Sequence, residues 1–382
     1  MINAYSPIDL RKITLAHGGD ASVTKYSSSE KTDFSIKSFN FYQDSDLKFS
    51  GLEDIFTAGY STPEVYLSFL KNCTIGPRLT GFTRYWPMFY DSFYVWNFMS
   101  SAAKQSYEKN GIFKKINDTI YWDKDQFPSL KIPGLSVWFY PFGNLDHFLR
   151  ECLPAIILLK EAGIDFSKIN FVCSEISHNF SSFLIDIGIP AESIIITGNR
   201  WIECEEIIIP CFGSFGHLHT PSKYYIKALS EILERTKSNK SLFNYDKVYV
   251  SRRRAKMRRV LNEETIYSGL ENRGFHIVDP GDYSIKDQIN IFRNTSCVVG
   301  PHGMGVANYG FSLEGALLME IMQSNCPRVS YFRTAQLKSG KYSAYWVNPI
   351  PLKFCLENDS FGDILIDSKN FFAALDEFQF IK

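Results

Sequence analysis

The 382-residue chain has no net charge, 41 Lys and Arg standing against 41 Asp and Glu. It therefore has no global field to draw in nucleic acid, and any anion site has to be local. Long apolar runs are missing too. The longest, from Cys152 to Leu159, is far short of the ~20 residues a membrane span requires. The opening Met1-Ile2-Asn3-Ala4-Tyr5-Ser6-Pro7 lacks the basic start and apolar core of a signal peptide, so the expected location is the cytoplasm. Eight cysteines are scattered without one Cys-x-x-Cys pair, some in apolar runs such as those around Cys173 and Cys297. They read as reduced core residues and not as a disulfide framework or a zinc site. A Gly-x-Ser-x-Gly elbow is absent, which removes the ordinary serine-hydrolase reading. No Asp-x-Asp is expected behind a strand to hold a divalent cation. His217-x-His219 has metal-like spacing but no acidic or cysteine partner nearby, so no metal is expected there either.

What the chain does have is concentrated in Cys297-Val298-Val299-Gly300-Pro301-His302-Gly303-Met304-Gly305-Val306-Ala307-Asn308. A short apolar run breaks into three glycines, a proline and a histidine, and a helix-compatible segment follows. This predicts a buried strand turning sharply into a helix, with free backbone N–H groups that can meet an anion. The Gly-x-x-Gly-x-Gly spacing is neither the dinucleotide fingerprint nor a P-loop, which would need Lys-Ser/Thr after the last glycine.

Length alone suggests two domains. Residues 1–238 read as an N-terminal domain, with a β-rich, aromatic subregion over about 55–141 and an alternating α/β part over 144–238. One helix is expected over 96–109. Leu145, Phe148, Leu149, Cys152, Leu153, Ile156 and Ile157 predict an amphipathic helix that Pro154 kinks or restarts. After a linker at 238–241, residues 241–355 read as a second α/β domain with a parallel sheet. Its helices open at Asn262, as an N-cap, and at Ser284-x-x-Asp287, as a capping box. A terminal helix within 356–382 is expected to pack back on the N-terminal domain.

In an open parallel sheet, ligands bind at the carboxyl ends of the strands. Following the predicted strands in turn come Ser251-Arg252-Arg253-Arg254 with Lys256, Arg258 and Arg259, then Asp279-Pro280-Gly281, then the glycine turn, and finally Glu320. Arginines and free amides suit phosphates, and a lone carboxylate suits a ribose diol. That edge reads as a nucleotide site. In the first domain, Asn144-x-x-His147 and Glu151 put an imidazole and a carboxylate four residues apart on a helix, an arrangement fit for a general base. An ordinary exposed ion pair explains that spacing equally well.

These three blocks together resemble glycosyltransferase family 61. They are Asn144 to Pro154, then Ser251-Arg252 through Arg258-Arg259-x-x-Asn262-Glu263, then Val299-Gly300-Pro301-His302-Gly303-x-Gly305-x-x-Asn308 with Glu320. They stand in the family's order and span about half the chain. Met304 stands where the family usually has Ala, and Phe148 where Trp is common. The resemblance implies a GT-B-like fold of two Rossmann-type domains and inverting, metal-independent transfer from a nucleotide-sugar, UDP-linked, to an oligo- or polysaccharide hydroxyl. It points to the bacterial capsule branch, with no cofactor and peripheral association with a membrane assembly complex at the inner face. His147, oriented by Glu151, would take the acceptor proton. Arg252, Arg258 or Arg259 and His302, with the amides near Gly303 and Gly305, would hold the diphosphate. Glu320 would bind the ribose, and Asn262 and Asn308 would belong to the donor site. The competing reading is a non-catalytic polysaccharide-binding or assembly protein that keeps the fold.

Overall fold

The structure is a computed structural model. It describes residues 144–211, 221–236, 243–350 and 362–380 continuously. Of the N-terminal part it describes residues 21–28, 31–32, 39–43, 56, 59–62, 64–75, 88–90, 93–94, 109, 113–116, 119–122 and 127–139. The chain forms two compact units that interleave in sequence, where contiguous blocks had been expected. The first holds Met1–Ser29, Glu64–Gly143 and Cys152–Gly213; the second holds Glu30–Pro63, Asn144–Glu151 and Ser214–Lys382.

The first unit is built on an eight-stranded mixed sheet. Four strands run parallel, in the order Ile194–Ile196, Asn170–Cys173, Ser129–Trp138 and Trp201–Pro210. The long strand Val65–Ile75 joins antiparallel to the last of these. It carries Ala21–Ser27 and the short pair Met88–Tyr90 and Phe93–Tyr94 with it, also antiparallel. The β-rich and the α/β stretches of sequence thus share one sheet. The expected helix over 96–109 and His217-x-His219 lie outside the described residues, Lys109 apart.

The second unit has a six-stranded sheet whose strands are all parallel. Its order is Phe275–Val278, Lys247–Val250, Cys297–Pro301, Leu317–Gln323, Lys341–Val347, Phe39–Gln43. The five strands from 247 onward therefore lie in the order 2-1-3-4-5, and the winding reverses between Lys247–Val250 and Cys297–Pro301. Val248, Tyr249, Val250, Val298 and Val299 are all buried, the near-continuous apolar runs that a parallel sheet covered on both faces demands.

Alternation along the strands sorts the two faces. Tyr249, Val299, Met319, Ile321 and Tyr345 join a core with Ile266 and Leu270 of the helix Glu264–Glu271 and with Phe371, Leu375 and Phe378 of the terminal helix Ser368–Phe380. Each fully buried Phe or Leu there contributes roughly 1.5–3 kcal/mol. The terminal helix packs on Glu264–Glu271, on Lys341–Val347 and on Phe39–Gln43, all within this unit. From the N-terminal part of the chain it meets only the borrowed strand among these. The opposite parity puts Leu318, Glu320, Tyr342 and Trp346 together, with Phe56 stacked 5.9 Å from Tyr342.

The segment predicted as one amphipathic helix forms three pieces: the turn Leu145–His147, a π-helix Phe148–Cys152, and the α-helix Leu153–Glu161 with Pro154 in its first turn. Proline restarts the helix there, because the missing N–H falls where no partner is needed. The boundary between the units falls inside the π-helix. Most of the described side chains of this run are buried, His147 being half-buried.

Candidate active site

The carboxyl edge of the second sheet is organised by close approach. An added Cβ at Gly300 would stand 2.9 Å from both Cβ and the carbonyl oxygen of Val250. One at Gly305 would stand 2.7 Å from Val250 Cγ1. One at Gly303 would overlap the Arg252 guanidinium. The backbone at Gly303 is extended, so glycine is needed there for room and not for its dihedral freedom. The three glycines thus draw the glycine turn against the end of Lys247–Val250, at the point where the winding reverses. The 3-10 helix Met304–Phe311 begins there, and its first N–H groups have no partner within it.

Arg252 is laid over this turn by its neighbours. Its Nε donates to the Arg258 carbonyl at 3.1 Å and its Nη2 to the Met257 carbonyl at 2.9 Å. Burial, and then the charge of Arg258, lower its pKa to about 10, so it is still a cation at neutral pH. Behind the loop lies Glu263, 2% exposed, which accepts from Tyr249, Ser251, Tyr267 and the Arg252 backbone N–H. Those four donors hold a buried carboxylate that anchors the arginine loop.

The other arginines of the run divide by partner. Arg259 is committed to Asp363, with Nη2–Oδ2 at 2.6 Å and its backbone N–H on Oδ1. Arg254 pairs with Asp279 and Asp282. Arg258 lines a small recess with Pro301, His302, Ile321, Gln323, Cys326 and Ile364. Arg252 and Arg258 are candidate phosphate ligands at this edge.

His302 sits at the lip of this recess, its side chain 14% exposed. Its Nδ1 lies 2.6 Å from Oε1 of Glu320, which is wholly buried. The Tyr342 hydroxyl donates to Oε2 at 2.8 Å. Both oxygens of Glu320, expected from the sequence to meet a ribose, have partners inside the unit. Tyr331 packs its ring 5.4 Å from that of His302 and donates its hydroxyl to the Gly303 carbonyl. Burial, then the charges of Asp146 and Glu320, raise the Tyr331 phenol well above its ordinary value, so it stays a donor.

His147, expected in the N-terminal domain, belongs to this same unit, and its turn packs against Met304–Phe311. Asn144 caps the turn, its Oδ1 accepting from the N–H groups of Asp146 and His147. The buried pair four residues apart is Asp146–Arg150, bonded twice at 2.8 and 2.7 Å. Arg150 is 0% exposed. The side chain of Glu151 lies outside the described residues.

Asn308 and Asn262 prove to be fasteners. Asn308 is fully buried; its amide donates to Gln288 and to the Gly305 carbonyl, while Gln288 reaches the carbonyls of Pro280 and Tyr283. Asn262 makes two bonds with the backbone of Ile366, and the helix expected to open on it has Glu263 at its cap. Ser284 does cap as expected, accepting from the Asp287 N–H.

Two Asp-x-Asp sequences do follow strands, contrary to the expectation: Asp44-x-Asp46 after Phe39–Gln43, and Asp123-x-Asp125 after Thr119–Trp122. Both lie outside the described residues. Among the described residues no group of three His, Cys, Asp or Glu could hold a metal ion. No described helix is long and apolar enough to cross a membrane.

A parallel sheet with a glycine turn and a clamped arginine at its reversal point makes this an α/β protein with a candidate anion site. Residues 145–325, just under half the chain, match the model of a family described as Glycosyltransferase 61. The match supports a glycosyltransferase and encloses both the His147 turn and the carboxyl edge. No curated protein matches the chain.

Proposed function

We propose that this protein is a glycosyltransferase that moves a sugar from a nucleotide-sugar, UDP-linked, to a hydroxyl of a growing glycan, a capsular or other surface polysaccharide. The carrying observation is Arg252 laid over Gly303 at the start of Met304–Phe311, where the sheet's winding reverses. Cation and free amides converge there on one point, which is what a diphosphate requires. Arg252, Arg258, His302 and the amides near Gly303 and Gly305 hold the donor. The reading includes inversion at the anomeric carbon, a GT-B-like class of fold, action without a metal, and work at the cytoplasmic face of a membrane assembly complex.

In this reading the acceptor oxygen attacks the anomeric carbon as the carbon–phosphate oxygen bond breaks. His147 takes the acceptor's proton, and the positive edge meets the charge that develops on the diphosphate. The test is a binding panel of nucleotide-sugars, run with and without a chelator, followed by transfer assays. Arg252→Ala should weaken donor binding. His147→Ala should abolish transfer and leave donor binding largely intact. Unchanged donor affinity in the first variant would remove the phosphate assignment. Donor binding that vanishes with the chelator would remove the metal-free part and turn attention to the two Asp-x-Asp sequences.

A further inference from the structure

The pairing of His302 with Glu320 has a consequence for how the site meets an anion. With Glu320 as the carboxylate, which offers only lone pairs, the proton in the 2.6 Å contact sits on Nδ1. Glu320 cannot turn away, because Tyr342 holds its other oxygen and the whole side chain is buried in the sheet. The neutral imidazole is thereby locked as the Nδ1–H tautomer, and its second nitrogen carries a lone pair. An ordinary surface histidine can meet a phosphate in its neutral form by placing its one proton on the nitrogen that faces the ligand. His302 cannot do so without breaking its bond to a buried carboxylate, a costly step.

We infer that binding of a diphosphate at this edge is coupled to uptake of one proton by His302. The incoming anion and the second ring nitrogen would otherwise oppose lone pair to lone pair. The proton is taken from solvent, it settles on Nε2, and that N–H then donates to a phosphate oxygen. No covalent bond forms or breaks in this step. The resulting imidazolium stands between two anions, the Glu320 carboxylate behind it and the diphosphate in front. His302 touches the substrate; Glu320 and Tyr342 are positioning residues. The inference rests on the glycosyltransferase reading for the identity of the diphosphate. It gives that reading a pH dependence, since the affinity of a donor must fall as protons become scarce.

The groups that face His302 from each neighbouring element are few. Glu320 comes from Leu317–Gln323, Tyr342 from Lys341–Val347, and Tyr331 from Ser330–Leu337. Arg258 and Cys326 share the recess, and Arg252 lies over the adjacent Gly303. Asp146 and Arg150 act on Tyr331 from the His147 turn. Burial raises Tyr331 and Tyr342, which keeps both protonated throughout the working range. Arg252, lowered to about 10, confines a clean measurement to lower pH.

The test uses the full chain and nucleotide-sugars, whose diphosphate diester keeps a constant charge near neutrality. Calorimetric titration in two buffers of different ionisation enthalpy counts the protons bound. Wherever the ring is neutral in the free protein, wild-type uptake should approach one proton, and affinity should fall with rising pH by up to about tenfold per pH unit. His302→Gln should bind more weakly, with no uptake and a flat pH profile. Glu320→Gln retains an acceptor for Nδ1–H but no charge, so uptake and affinity should both drop, most at the higher pH. Nitrogen-15 spectra of the histidine rings in the free protein should show His302 as the Nδ1–H tautomer. The opposite tautomer overturns the inference whatever binds and whether or not Glu320→Gln folds. Binding without proton uptake overturns the coupling alone. Failure of every nucleotide-sugar to bind overturns the functional reading and the coupling with it.

Discussion

Gly303→Ala isolates the contact on which the proposed anion site depends. The new methyl group falls on the Arg252 guanidinium, with Cζ 2.7 Å from the ideal Cβ position. No backbone atom is among its three nearest neighbours, so the obstacle is the far end of a flexible side chain that can swing aside. Doing so gives up the bonds to the carbonyls of Met257 and Arg258. The half-buried guanidinium regains water, and the net cost to the fold should be about 1–2 kcal/mol. The loss in ligand binding should be larger relative to its baseline. A charge-assisted bond to phosphate is worth about 1.5–3 kcal/mol, a fall in affinity of about tenfold to 150-fold. Gly300→Ala is the control, since there the methyl meets the Val250 backbone, which cannot swing away. Overpacking of that kind costs about 1–3 kcal/mol or more. Chemical denaturation and nucleoside diphosphate titration of both variants decide the matter. Equal destabilisation of the two, with affinity unchanged in Gly303→Ala, would refute the reasoning.

Three further outcomes follow from the polar contacts. Asp146→Ala removes both bonds of this pair from the fully buried Arg150 and should destabilise the protein by about 3–5 kcal/mol in denaturant titrations, far beyond the effect of an exposed ion pair. Asn262→Ala removes two bonds to Ile366 and should cost about 1–3 kcal/mol while leaving nucleotide affinity as it was. Burial alone would raise the Asp363 carboxyl, but the side-chain and backbone bonds from Arg259 outweigh it and hold the group below the usual range. Its contribution is therefore present above the unfolded value of about 3.9 and is lost as pH falls through the lower folded value. Asp363→Asn should be less stable than wild type at pH 7 by on the order of 1 kcal/mol, because Arg259 is nearly half exposed. The gap should close in acid.

The periodicity of the second half made its strands and helices legible, and the glycine turn lies where the apolar run Cys297–Val299 pointed. Partner choice was less legible, because it is settled by strands distant in sequence. Glu320 stands in the run Leu317-Leu318-Met319-Glu320-Ile321-Met322, where a carboxylate can only be buried and must find donors. That signal was available, but nothing local names His302 and Tyr342 as those donors. Along the run from Leu145 to Glu161 the sequence offers two pairs four apart, His147 with Glu151 and Asp146 with Arg150. The structure shows the second as a buried, doubly bonded pair, which nothing in the local spacing singles out. Likewise the Arg cluster is uniform in sequence, and its division into clamped, paired and recess-lining members depends on Asp363, about a hundred residues downstream.

The outermost strand of the six-stranded parallel sheet, Phe39–Gln43, aligns with Lys341–Val347 across some three hundred residues of chain. A fragment trimmed to the apparent C-terminal half would leave the hydrogen-bonding groups of Lys341–Val347 bare, an invitation to sticky self-association. During synthesis the early strand must wait some three hundred residues before its seat exists, so this step of assembly joins pieces made far apart in time.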